Sequence, residues 1–277
     1  MVAGKDDMSI YRVLGLGSVR RRNFGVFHIT ATMNAGKPKM LIPPLLRKGR
    51  PTLVVPIRRR APKLTLTMAD WNLPTADWAV ISPRIKAAIT ISHGKLYACW
   101  KTDHSHLLAH GPSTPALLFK GGGALDIMLS TNGRRPGFNR QRAPIRGDER
   151  LLVTRIQGKT VAVLYREVAE GIPATQHYLF QSPIGKVEFD QVLNVSKRIH
   201  LYQSGLNYEI SAPLSLLAMP IPEPGYQTLG DIGVLVGNGT KTVERLYWSN
   251  KNASIVSDIP GEARLQPANW GILKVGR

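Results

Sequence analysis

A carboxylate interrupts an apolar run at Asp126, within Ala124-Leu125-Asp126-Ile127-Met128-Leu129. Burying it without a partner is costly, so it should face solvent, a ligand or a cation. Arg150 opens a later apolar stretch. The two residues predict polar groups on neighbouring strands, either as a structural ion pair or as a pair of ligand contacts. Asn250 sits at a strand end beside Trp248, where an amide and an aromatic come together. Phe119, Trp100 and Trp248 are the aromatic candidates, and core packing is the competing reading for each. His104, His106 and His110 fall within seven residues. Their spacing does not suit one helix face and no acidic or Cys partner follows closely, so a solvated loop is a better reading than a metal site. Gly121-Gly122-Gly123 precede a strand rather than a helix, which leaves half of a phosphate cradle missing. Asp126, Asp148, Glu149, Asp231 and Glu262 show no pattern that pairs two carboxylates in a cleft. No Gly-x-Ser-x-Gly elbow appears. The chain is therefore read as a non-enzyme, with no catalytic residue, cofactor or metal assigned.

The elements that must position these residues are strands. Residues 147–166 read as two strands about a tight turn. Leu, Val, Thr and Ile dominate on both sides, types that fit a pleated, half-buried surface. Gln157-Gly158-Lys159 reads as a three-residue loop in which Gly158 takes positive φ. Val161, Val163 and Tyr165 share one face of the second strand, and Ala162, Leu164 and Arg166 share the other. Both faces are largely apolar, which predicts a sheet covered on both sides. Lys95 to Thr102 reads as a strand with Leu96, Ala98 and Trp100 on one face and Tyr97 and Cys99 on the other. Ile85–Ile91, Ser182–Val195, Lys197–Gln203, Leu206–Ala212 and Gly271–Val275 add further strands. Gly230–Gly237 and Thr240–Ser249 flank Asn238-Gly239, a strong hairpin signal. Some ten short strands without a long helical period predict an all-β fold, an antiparallel β-sandwich of the immunoglobulin or jelly-roll kind.

Charge is unevenly spread. The chain of 277 residues carries a formal net charge of +19, and residues 1–63 hold 14 of its 37 basic residues but only 2 of its 18 acidic ones. Prolines interrupt the apolar runs in that stretch. It reads as a basic, poorly structured N-terminal arm, and 64–277 as the folded domain. Such an arm, with the Arg-rich loop 134–150, could bind polyanions, although no nucleic-acid motif accompanies it. The single Cys99 excludes an internal disulfide. No run approaches a membrane span, and no secretion signal is visible.

From about Lys95 to Lys274 the order of fragments resembles carbohydrate-binding module family nine-like domains, within the β-sandwich group that includes DOMON domains. The fragments are Leu96-Tyr97-Ala98, Ala124 to Leu129, Gly147-Asp148-Glu149-Arg150-Leu151-Leu152-Val153, Ala162-Val163-Leu164-Tyr165-Arg166, Gly230-Asp231-Ile232-Gly233-Val234-Leu235 and Tyr247-Trp248-Ser249-Asn250-Lys251. Asp258 to Ala263, Pro267 and Trp270-Gly271 complete them. The version resembled is the C-terminal module of large secreted proteins in planctomycete-type bacteria. The resemblance implies a non-catalytic module that docks a saccharide, accessory to a larger secreted polysaccharide-processing protein, and an extracytoplasmic location. It also implies that Asp126 and Arg150 contact the sugar with Phe119 close by. Trp248 with Asn250, where an aromatic and an amide come together at the end of the second hairpin, form the next site to consider. Family-nine modules clamp a terminal sugar between two rings; Phe119 stands near one such position, and no second ring stands near Ile255. Other readings are a polyanion binder, a glycoside hydrolase accessory fragment, or a haem-binding relative using Met128 and a loop histidine.

Overall fold

The computed structural model describes residues 31–34, 37–40, 49–64, 69–132, 143–183, 185–253 and 259–276. The chain divides into two compact units, Met1–Gly49 and Arg50–Arg277. In the first, strands β1 (Ala31–Asn34) and β2 (Lys37–Met40) form an antiparallel pair. The remaining residues before 49 lie outside the described ones, so most of the stretch read as a poorly structured arm is among those not described.

The second unit is a β-sandwich. Its larger sheet runs in the order β12 (Gln191–Asn194), β9 (Lys159–Arg166), β8 (Asp148–Ile156), β7 (Ala124–Ser130), β15 (Gln227–Gly237), β17 (Gly271–Gly276), β3 (Thr52–Pro56). A further strand, β16 (Thr242–Tyr247), also pairs with β15. The smaller sheet is β13 (His200–Ser204), β14 (Asn207–Pro213), β6 (Lys95–Thr102), β5 (Ile85–Ser92), β4 (Ala79–Ser82). All pairings in the two sheets are antiparallel except β17 with β3. That pair corrects the boundary at residue 64. Leu53 and Val55 of β3 are 1% and 2% exposed, and Arg50 donates to the backbone carbonyls of Pro267 and Trp270. The Pro-interrupted run around them hid a strand that closes the sheet edge.

Strand alternation decides where the core sits. Leu96, Ala98 and Trp100 of β6 meet Leu125, Ile127, Leu151, Val153, Ala162 and Leu164 of the larger sheet in one cluster between the sheets. Trp100 Nε1 donates to Gly233 O across the interface at 3.0 Å. Tyr97 and Cys99 point the other way and cluster with Trp71, with Ala61, Leu64, Leu73 and Trp78 packed against them. The outer face of the larger sheet is covered as well. Met128, Leu152, Val163 and Tyr165 pack beneath helix α1 (Leu118–Gly121), the hairpin β10 (Tyr178–Ser182) with β11 (Gly185–Phe189), and helix α2 (Ile259–Ala263). Covering both faces of the larger sheet confirms the pattern read in residues 147–166. The turn there is shorter than read: Ile156 pairs with Lys159, and Gln157 and Gly158 both take positive φ, 49° and 77°. That is a two-residue turn of the kind that matches strand twist. No helix among the described residues is long and apolar enough to cross a membrane.

Candidate functional site

Asp126 and Arg150 do meet, on the outer face of adjacent strands. The β7–β8 register sets Met128 against Arg150, so Asp126 lies diagonal to it. Arg150 Nη2 donates to Asp126 Oδ2 at 2.7 Å, and its Nε reaches Oδ1 at 3.2 Å and Oδ2 at 3.0 Å. Tyr247 donates its hydroxyl hydrogen to Asp126 Oδ2 at 2.6 Å, and Arg150 Nη1 donates to the Glu262 backbone carbonyl of α2 at 2.8 Å. Asp126 is 0% exposed and Arg150 1%. This corrects the ligand-contact reading, because the pair is sealed beneath Tyr247 and α2. Burial alone would lower the Arg150 pKa, yet the Asp126 carboxylate and Tyr247 beside it hold it above the ordinary arginine value. Burial pushes the Tyr247 hydroxyl up to about 12. A polar node this fully satisfied fixes the covering elements on the sheet.

The other three residues are structural too. Phe119 is fully buried and packs edge-on against Tyr165 and Phe180, with ring centroids 6.0 and 5.3 Å away. Trp248 packs against the inner core and its ring crosses Gly271, where a Cβ would lie 2.4 Å from it. Asn250 is buried in a turn stapled by Asp231. Asp231 Oδ1 accepts from the amides of Ile232 and Ser249, both at 2.9 Å, and its Oδ2 from that of Asn250 at 2.8 Å. Burial raises the Asp231 pKa to about 7, and these three amides pull it back only in part. Ile255, where a second ring was sought, lies outside the described residues, as do residues 133–142 of the Arg-rich loop. His110 engages backbone carbonyls of Gly111 and Leu118 through its two ring nitrogens. No cluster of three or more His, Cys, Asp or Glu able to hold a metal occurs among the described residues.

An open cleft lies at the ends of β7, β8, β9 and β12. Its volume is about 620 Å³, and Thr131, Asn132, Arg146, Glu149, Arg166, Val168, Ile172 and Gln191 are among the residues lining it. Gln191 pairs directly with Arg166 across β12 and β9. Glu149 stands one position beyond the Arg150–Tyr165 pair, opposite Arg166. Three neighbouring strands thus set a carboxyl, a guanidinium and an amide in a row. Arg166 Nε donates to Glu149 Oε2 at 2.9 Å, Nη1 to Gln191 Oε1 at 2.8 Å, and Nη2 to Leu216 O at 3.1 Å. Glu149 is 1% exposed, and its Oε1 has no hydrogen-bond partner. Burial raises its pKa to about 8, against the pull of the Arg166 charge. At the rim, Arg146 pairs with the exposed Glu170.

This row escaped the sequence reading for a definite reason. A two-residue turn at Gln157-Gly158 sets Glu149 opposite Arg166, whereas a three-residue loop slips the register by one and separates them. The turn type was the only signal that could have exposed it.

No family model matches the chain, and no curated protein does. Among solved structures it is similar to a family 9 carbohydrate-binding module from Caldicellulosiruptor kristjanssonii in complex with glucose, at 15% identity and a TM-score of 0.47, over 81% of this chain and 96% of that one. A second structure of a family 9 module from that organism, in complex with cellotriose, matches at 14% identity and a TM-score of 0.44, over 82% of this chain and 95% of that one.

Proposed function

We propose that the chain is a non-catalytic saccharide-binding module whose ligand occupies the cleft at the ends of β8, β9 and β12. The observation that carries this reading is the row Glu149–Arg166–Gln191. Sugar hydroxyls both donate and accept hydrogen bonds, so a site for them needs fixed groups of both kinds. Arg166 supplies donors, the Gln191 and Asn132 amides supply carbonyl oxygens and N–H groups, and the buried Glu149 holds Arg166 in place beneath them. Their mutual bonds hold them in place before a ligand arrives, which lowers the entropy lost on binding. A volume of about 620 Å³ suits a short saccharide, and Val168 and Ile172 offer apolar surface to ring C–H groups. The resemblance read in the sequence points the same way and places such a module outside the cytoplasm.

A hydrolytic role is a weaker fit. Glycoside hydrolysis needs two carboxyl groups across the scissile bond. In this cleft Glu149 is committed to Arg166, and Glu170 is exposed at the rim and paired with Arg146. The binding reading is tested with a glycan array, followed by calorimetry on the best neutral oligosaccharide. Gln191→Ala removes one contact without touching the Glu149–Arg166 bond and should weaken binding by about tenfold, the worth of a well-placed polar contact. A variant that binds as well as the unsubstituted chain would remove the ligand from this cleft.

A further inference from the structure

The outer face of the smaller sheet presents two lysines in an arrangement that the fold alone does not favour. Lys86 of β5 and Lys101 of β6 are directly opposite partners in the ladder. Like charges set opposite each other are destabilising. Neither lysine forms an ion pair with a carboxylate among the described residues. Both instead reach the indole of Trp78, with Nζ atoms 5.1 and 4.7 Å from the ring centroid. The negative face of an aromatic ring attracts a cation, so one indole draws two positive charges together.

These groups line a cleft of about 490 Å³ together with Trp71. Trp71 is 1% exposed, and its Nε1 has no hydrogen-bond partner. A buried indole N–H normally finds an acceptor, and one left without it is rare enough to need an explanation. Two ammonium groups in no ion pair with a carboxylate among the described residues, and a buried N–H donor without a partner, line one cleft, and an anionic acceptor would suit all three.

We infer that this cleft binds the oxyanion of an acidic saccharide, a carboxylate or sulfate carried on a sugar ring. The lysines neutralise the charge, and Trp71 Nε1–H donates to one of its oxygens. The oxyanion stands on this face alone; only the sugar body of the ligand rests on the saccharide reading above. The charge clash between Lys86 and Lys101 is relieved when the anion enters.

The test uses the full chain and the double variant Lys86→Met with Lys101→Met, which keeps the aliphatic stems. Calorimetry at 0.15 M salt is run with an oligouronate, a sulfated heparin oligosaccharide, a neutral cello-oligosaccharide, inorganic phosphate and a single-stranded oligonucleotide; this salt, about one Debye length of 8 Å, suppresses long-range attraction to the rest of the basic chain. The oligouronate or the heparin fragment should bind, and the double variant should lose about tenfold or more of that affinity, as expected for charge-assisted bonds. Which of the two binds distinguishes carboxylate from sulfate. The melting temperature of the variant should stay level or rise, because a repulsion has been removed. A role in folding alone predicts the reverse. The double variant should bind the neutral cello-oligosaccharide as the unsubstituted chain does, because neither lysine lines the other cleft, so the two sites fail separately. Unchanged acidic binding in the double variant, a fall in melting temperature that accounts for the loss, or binding of phosphate or the oligonucleotide without either acidic saccharide would overturn the inference.

Discussion

Removing the carboxylate of Asp126 would leave the Arg150 guanidinium fully buried, held only by Tyr247 and the Glu262 backbone carbonyl. Stranding one partner of a buried pair costs about 3–5 kcal/mol. Asp126→Ala should therefore lower the melting temperature sharply in thermal unfolding, and a near-neutral result would show that the node does not hold the covering elements. Glu149 makes a prediction of a different kind. Its carboxyl keeps its proton up to about pH 8 in the fold, whereas its ordinary value is 4.5. Between those values the folded chain binds more protons than the unfolded one, so this contribution is full below about pH 4.5 and is lost as pH rises through about 8. Burial raises Asp231 and Glu167 to about 7 with the same sign. Denaturant titrations should give falling stability from pH 5 to 8.5, and Glu149→Gln should flatten that fall by at least about 1 kcal/mol. A profile identical to that of the unsubstituted chain would contradict the buried, protonated state. At this scale the sequence was half legible. An isolated carboxylate in an apolar strand correctly announced a partner in Arg150, but no local pattern says whether such a pair lies open or sealed. That depends on α2 and the β10–β11 hairpin, which arrive from elsewhere in the chain.

The elements most legible in the sequence are those with steady alternation. Lys95–Thr102 appears with the bounds and faces expected of it, and residues 147–166 form a hairpin covered on both sides. Two elements were obscured. Ser182–Val195 reads as one strand, whereas two strands, β11 and β12, run through it with Asp190 between them. β10 carries exposed Tyr178 and Leu179, so its pattern does not announce a buried face. β3 was hidden because prolines flank it at Pro51 and Pro56, and a proline at an edge or strand end is compatible with pairing. Its parallel contact with β17 makes a prediction about truncation. A chain of 50–277 should melt close to the full chain, because the compact unit begins at Arg50. A chain of 64–277 loses Leu53 and Val55 from the core and should be destabilised by roughly 3 kcal/mol or more. Equal melting temperatures for the two truncations would show that β3 is dispensable.

In the sandwich as a whole, the larger sheet has a covered outer face and the smaller sheet a partly covered one. α1, α2 and the β10–β11 hairpin close one, and Trp71 with the residues packed around it closes part of the other. The open concave surface is left at strand ends and at the margin of the smaller sheet, where the two clefts lie. The all-β class followed from strand count and turn spacing, which are properties of the whole chain. The position of the ligand cleft did not, because it depends on register and on which faces become covered. The measurement that tests the account most directly is an amide NMR titration of the full chain with the neutral oligosaccharide that binds best. The largest shifts should fall at Gly147, Val168, Ala169 and Gln191, with Trp248 to Asn252 unmoved. Shifts centred on Trp248 to Asn252, or none at the ends of β8, β9 and β12, would contradict it.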